Sequence, residues 1–238
     1  MSQNQKEKLA NLIYPLWMRF IQQQRLITER QILQYLNPLT IQDHKKALRG
    51  ASIEKAHLYC VLQNLTPQQY GTLLEDHIKT YFQWTSLKAS DCAGDCRALS
   101  ATVEIKVSMG NRSHRKKFNY VQIRVSHKID FYFMTAYYLC MSNWQQGGEL
   151  YIFRIEKDDM LYLLSRFGEY AHGTIKKQGK ITLRKLEEEC TAIDPPKTCE
   201  YALRPVVGGE CWEALMKYRV FVTGVGGKVL SNVESVSL

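Results

Sequence analysis

Nowhere does the chain offer the roughly 18 to 20 uncharged apolar residues that span a bilayer. Its most apolar stretch, Phe131 to Met141, is about a strand and a half long, so a membrane protein is not expected. The opening Met1-Ser2-Gln3-Asn4-Gln5-Lys6-Glu7-Lys8 lacks an apolar signal core and a small-residue cleavage site, so export is not expected and the cytosol is the expected compartment. Close CxxC pairs are missing as well. The cysteines number 7, an odd count, and read as free, mostly buried thiols of a reducing compartment. Cys92 with Cys96, and Cys190 with Cys199, are too widely spaced for a zinc knuckle, and no His pair completes either, so zinc is not expected. Acidic residues are in deficit: 23 Asp and Glu against 32 Lys and Arg leave a net charge of +9. Such a surface attracts polyanions, nucleic acid first, although a basic surface also serves solubility alone. No internal repeat and no low-complexity linker is visible.

What is present suits an ordinary globular protein. At 238 residues, 45% hydrophobic and 23% charged, the chain holds one sizeable core, or one core with a smaller lobe. Leu9, Leu12, Ile13, Leu16, Trp17 and Phe20 recur at helical spacing. Thr28 with Gln31 forms a capping box ahead of Ile32, Leu33 and Leu36, and Asn37-Pro38 stops that helix. Further helices fit Ile41 to Leu48, broken by Gly50, and Ala51 to Leu62. The strongest helix start is Thr66-Pro67-Gln68-Gln69, opening a helix to about Phe82 with Leu73, Leu74, Ile78 and Tyr81 on its apolar stripe and Glu75 beside it. From Gly94 short strands follow: Asp95 to Leu99, Thr102 to Ser108, Tyr120 to Val125, Phe131 to Leu139 and Glu149 to Ile155. Asp158 is expected to cap a helix through Leu164, and a charged segment surrounds Leu186. The expected fold is α/β (α+β), a central mixed sheet flanked by helices, with a helical N-terminal lobe over 1–65 and the core over 66–238, together one compact unit.

Chemistry concentrates in Gly94-Asp95-Cys96-Arg97-Ala98-Leu99-Ser100-Ala101-Thr102-Val103-Glu104-Ile105-Lys106, which reads as a hairpin. Strand alternation puts Glu104 and Lys106 on one face and Val103, Ile105 and Val107 on the other, against the core. Hydrolysis of a phosphodiester needs oxygen ligands for a hard divalent cation, a nucleophilic water, and neutralisation of charge growing on phosphate. Asp95 and Glu104 supply carboxylates for Mg²⁺, and the Lys106 ammonium can orient the water. An exposed strand alternating Glu with Lys is often only a solvated face. Here the alternate positions are apolar, a capped helix precedes the motif, and a basic loop follows it.

Gly94-Asp95, an eight-residue gap, then Glu104-Ile105-Lys106 resembles the PD-(D/E)xK signature of type II restriction endonucleases. The resemblance runs from Tyr70 to Leu139, and Gly94 stands where the signature has Pro. It implies a restriction-endonuclease-like core with Asp95, Glu104 and Lys106 as the catalytic set and Mg²⁺ as cofactor. It also likens Gly71-Thr72-Leu73-Leu74-Glu75 to a core helix whose acid completes the metal site. Glu75 is thus a third metal ligand beside Asp95 and Glu104, or an ordinary helix acid paired with Lys79. Asp91 ranks behind Asp95 as first carboxylate. The implied partners are double-stranded DNA, a second copy of the chain in a two-fold dimer, and, from the family alone, a DNA methyltransferase.

Candidate DNA contacts follow the catalytic strand: Asn111, Arg112, Ser113, His114, Arg115, Lys116 and Lys117, of types that reach phosphates or base edges. Gln122 either faces the site or is an outward strand amide. His127 and Lys128 either add a contact or mark a hairpin turn at the sheet edge, and His172, Thr174, Lys176, Lys177 and Lys180 form a second basic cluster around glycines. Two other readings are a structure-specific repair or junction nuclease of the same fold and a DNA-binding protein that does not cut.

Overall fold

The computed structural model describes residues 39–88, 92–110, 116–139, 148–171, 179–192 and 199–222. The helices read over Leu9 to Phe20 and Thr28 to Leu36 lie outside them. The chain divides at Arg49 and Gly50 into two compact units. In the first, the described helix is α1 (Ile41–Ala47), opened by a reciprocal capping box between Thr40 and Asp43.

The second unit begins with α2 (Ile53–Leu62) and α3 (Pro67–Tyr81), whose Thr66–Gln69 capping box and first-turn Pro67 match the sequence expectation. Leu73, Leu74 and Ile78 are buried, joined by Tyr70 and His77. Tyr81 departs from the expected stripe. As the last residue of the helix it is exposed, its ring edge-on to Phe82 at 5.1 Å.

Behind these helices lies a six-stranded mixed sheet. Its order is β1 (Thr85–Ser86), β2 (Cys96–Ala98), β3 (Ala101–Met109), β5 (Phe131–Tyr138), β6 (Glu149–Glu156) and β9 (Arg219–Val222). β3 and β5 run parallel, Glu104 beside Tyr132 and Lys106 beside Met134; the other neighbours are antiparallel. β5 is buried along nearly its whole length, as suits a central strand covered on both faces. On one face Phe133 meets Phe82 at 5.4 Å and Trp84 at 5.2 Å, and Tyr137 stacks on His57 of α2 at 5.1 Å. On the other, Phe153 meets Trp212 at 5.7 Å, and Trp212 stacks on Phe118 at 5.3 Å.

The segment read as a further strand of this sheet, β4 (Tyr120–Ile123), instead leaves it. β4 forms a second, three-stranded sheet with β8 (Tyr201–Leu203) and β7 (Glu169–Tyr170). Asp158 is not the cap of the next helix, α4 (Lys157–Phe167). β6 runs directly into it through Glu156, the Lys157 amide donating to the Asp130 carbonyl at 3.0 Å. Asp158 and Asp159 sit in the first turn, where a carboxylate favours the helix dipole. The charged segment around Leu186 is helix α5 (Leu183–Thr191), and α6 (Glu210–Leu215) with a 3₁₀ turn over Met216–Tyr218 leads into β9. The fold is mixed α/β, with six α-helices among the described residues. None of them is long and apolar enough to cross a membrane.

Candidate active site

β2 is short. It pairs with Ala101, Thr102 and Val103 of β3 and then ends, which leaves the rest of that edge of β3 without a strand partner among the described residues. Asp95 takes the ladder's place there. Its amide donates to the Val103 carbonyl at 2.9 Å, and its carboxylate accepts from the Ile105 amide at 2.7 Å. Gly94 makes the approach with φ +82; a Cβ there would lie 2.7 Å from the Val103 carbonyl oxygen. Proline, locked near −65°, could not adopt that φ.

Glu104 and Lys106, two residues apart, share a face of β3, and their side chains form an ion pair at 2.6 Å. Val103 and Ile105 are buried on the opposite face, as expected; Val107 is only half-buried. Glu104 is 6% exposed. Burial pushes its carboxyl above the usual range; Lys106 opposes that rise, Asp95 adds to it, and Arg124 opposes it again. Glu75 reaches the same place from α3. It pairs with Lys79 at 2.5 Å, and its pKa is raised first by burial and then by the Asp95 charge, against Lys79 and Lys106. Glu75 is thus the helix acid paired with Lys79 of one sequence reading, and it lies in the field of Asp95 and Lys106.

Three further residues surround this cluster; of them the sequence offered only His127, as a DNA contact and not as part of the site. Arg124 bears on Glu104 and is held by Glu200 through Nε at 2.9 Å and Nη2 at 2.5 Å. His127 keeps its imidazole below the usual range, chiefly through burial and then through the nearby Arg124 and Lys106 cations, with Asp95 opposing; its Nδ1 is buried without a hydrogen-bond partner. Tyr132, in register with Glu104, is fully buried, and its hydroxyl also lacks a partner. Burial and then the Glu104 charge hold that phenol protonated, well above its usual pKa. A polar atom so placed carries a penalty unless a water or ligand satisfies it. Tyr132 lies within the most apolar stretch, Phe131 to Met141, where nothing in the sequence singles it out. Arg124 and His127 are joined to the site only by the excursion through the second sheet.

Among the described residues, no group of three or more His, Cys, Asp or Glu side chains is assembled to hold a metal ion. Mg²⁺ needs fewer: it is usually held by one or two carboxylates, with water and phosphate completing the shell. Asp95 and Glu104 suit that mode, since each hydrogen-bonds through one carboxylate oxygen and leaves the other without a partner among the described residues. The Cys96 thiol behind them is pushed up to about 12, mainly by burial, and stays protonated.

The expected DNA contacts divide. Asp91, Asn111, Arg112, Ser113, His114, Arg115, His172, Thr174, Lys176 and Lys177 lie outside the described residues. Lys116 is engaged: it pairs with Glu149 at 2.6 Å and lies 4.9 Å from the centre of the Tyr138 ring. Lys117, Lys128 and Lys180 are exposed. Gln122 is exposed at a register shift of β4 with φ +57, which is the outward reading.

Comparison with protein-family models, with curated proteins and with solved structures finds no match to this chain.

Proposed function

We propose that this protein is a Mg²⁺-dependent endonuclease acting on double-stranded DNA, in the manner of a type II restriction endonuclease and as a homodimer. One observation carries the reading. Asp95, fastened by backbone to the open edge of β3, the buried Glu104–Lys106 pair, and Glu75 from α3 are electrostatically coupled at that edge. Burying like charges together raises their pKa values, and such arrangements cluster at functional sites.

In the proposed reaction Asp95 and Glu104 hold the cation, with Glu75 beside them. When bound, Mg²⁺ supplies Lewis-acid polarisation of a phosphate oxygen and acidifies water. Lys106 exchanges its contact with Glu104 for the attacking water, orients it in line with the P–O3′ bond, and offsets charge growing on the phosphate oxygens. Water adds to phosphorus and loses a proton to solvent. The P–O3′ bond breaks and the 3′ oxygen takes up a proton, leaving 5′-phosphate and 3′-hydroxyl ends. Exposed Lys117, Lys128 and Lys180, with the basic segments around Arg112 and Lys176, supply phosphate contacts.

The test is incubation of the full chain with a plasmid and with a phage genome, in Mg²⁺ or in EDTA. Discrete bands that require Mg²⁺ are expected. A smear would point to a repair or non-specific nuclease, and intact DNA in both reactions would reject cleavage of plain duplex.

A further inference from the structure

The hairpin that carries Asp95 and Glu104 turns through Leu99 and Ser100, between the closing pair Ala98 and Ala101. Leu99 has φ +54, and Ser100 is not among the residues with positive φ. A two-residue hairpin loop with positive φ at its first position alone is a place that glycine fills, because a Cβ there crowds the backbone. Among the described residues, the other non-glycine residues with positive φ are polar: Asn64, Gln83 and Gln122. Asn64 and Gln83 follow helix ends, where such a conformation is ordinary. Leu99 is branched and apolar, and at 80% it is the most exposed large hydrophobic residue described. It carries backbone strain and an unburied side chain together, and the packing of the hairpin uses neither.

The surroundings of the tip have a sign. Arg97 is exposed on β2, and Lys128 is exposed where its carbonyl accepts from the Thr102 hydroxyl at 3.0 Å. The anion at this end, Asp130, is turned to its own strand neighbour: its Oδ2 accepts from the Thr102 amide at 2.6 Å and from the Thr102 hydroxyl at 2.8 Å. From Asp95 to Leu99 the strand advances roughly 13 Å at about 3.3 Å per residue. On B-DNA, at about 3.4 Å per base pair, that is about four steps.

We propose that Leu99 is an apolar wedge that enters the duplex about four base pairs from the scissile phosphate and unstacks a base step there, while Arg97 and Lys128 hold the adjoining phosphates. Apolar side chains inserted between base steps unstack and kink DNA. Pyrimidine–purine steps give way most readily, so the wedge selects a TA or CA step at that distance without a base-edge hydrogen bond. The inference rests on the nuclease reading, which is what brings a duplex to this hairpin.

The experiment uses the full chain and a short duplex spanning one mapped cut, with 2-aminopurine at the third to fifth positions from it. Fluorescence is followed through a single turnover in Mg²⁺, and the product is read on a gel. In the native chain fluorescence should rise before product forms. Leu99→Gly should raise the unfolding midpoint by about 2–4 °C, as relief of strain in a domain of this size does. It should also abolish the fluorescence rise and slow cleavage roughly tenfold or more. Leu99→Met keeps the wedge and should keep both signals. Leu99→Gly cutting at the native rate, or a native chain that cuts with no fluorescence rise, overturns the wedge and leaves the nuclease standing. Weaker self-association of Leu99→Gly with an unchanged rate per dimer makes Leu99 a protein contact instead. A native chain that cuts no DNA removes the nuclease reading and the wedge with it.

Discussion

Asp95 has two tasks that substitution can separate. One carboxylate oxygen accepts from the Ile105 amide at 2.7 Å, and the charge itself bears on Glu75 and Glu104. Asp95→Asn keeps an acceptor for the amide and loses the charge; Asp95→Ala loses both. Both variants should cut DNA about a hundredfold more slowly or worse. Only the alanine variant should also lose stability, about 1–3 kcal/mol for the amide left unpaired. DNA binding should survive in both, since an anion has left a surface meant for phosphates. Cleavage assays beside thermal unfolding check this, and an asparagine variant that cuts normally would remove Asp95 from the chemistry. Asp95, Glu104, Lys106 and Glu75 were legible because they lie within one helix and one hairpin, where spacing and alternation fix the geometry. Arg124, His127 and Tyr132 were not, since what joins them to Glu104 is a parallel pairing and a second sheet, and neither leaves a local pattern.

At the scale of elements, periodicity located five of the nine described strands to within about two residues and missed the short β1, β7, β8 and β9, and the Thr66–Gln69 capping box located the start of α3. It placed Asp158 at a helix cap because it assumed a loop where β6 passes straight into α4, and it put β4 in the wrong sheet because alternation says nothing of partners. His57 of α2 shows what packing adds. It lies fully buried between Tyr70, whose hydroxyl it meets through Nδ1, and Tyr137, on which it stacks. Burial, then His77, depresses its pKa from 6.5 to about 3. Protonation therefore favours the unfolded chain. The stability contributed by neutral His57 is complete above the unfolded value of 6.5 and is lost as pH falls through the window toward 3, by about 1.4 kcal/mol per unit. Glu104 and Glu75 run the other way: raised carboxyls favour folding in acid, and that contribution disappears as pH rises through their folded values. His57→Phe should be less stable at neutral pH by about 1–3 kcal/mol, because it orphans the Tyr70 hydroxyl. Its stability should decline less steeply below pH 6.5 than that of the native chain. Urea midpoints at neutral pH and near pH 5 measure both slopes, and equal slopes would mean that His57 titrates outside this window.

Across the whole molecule the excess of +9 sets the terms of any encounter with DNA. Each phosphate neutralised releases condensed counterions, so log K should fall with log salt by about 0.9 for every contact. The cations do not contribute equally. Lys116 already pairs with Glu149 at 2.6 Å, whereas Lys128 is exposed at the hairpin end near Thr102. Lys128→Ala should weaken binding to all sequences and reduce the salt slope by about 1. Lys116→Ala should change the slope less, since the cation it removes is already partly spent on Glu149. Anisotropy titrations of a labelled duplex at several salt concentrations separate the two, because a loss of folding would lower affinity without selecting one slope. A duplex lying along the edge built by Asp95, Glu104 and Lys128 requires the larger slope change at Lys128. The reverse order would place the DNA against the Glu149 side of the sheet and away from these carboxylates.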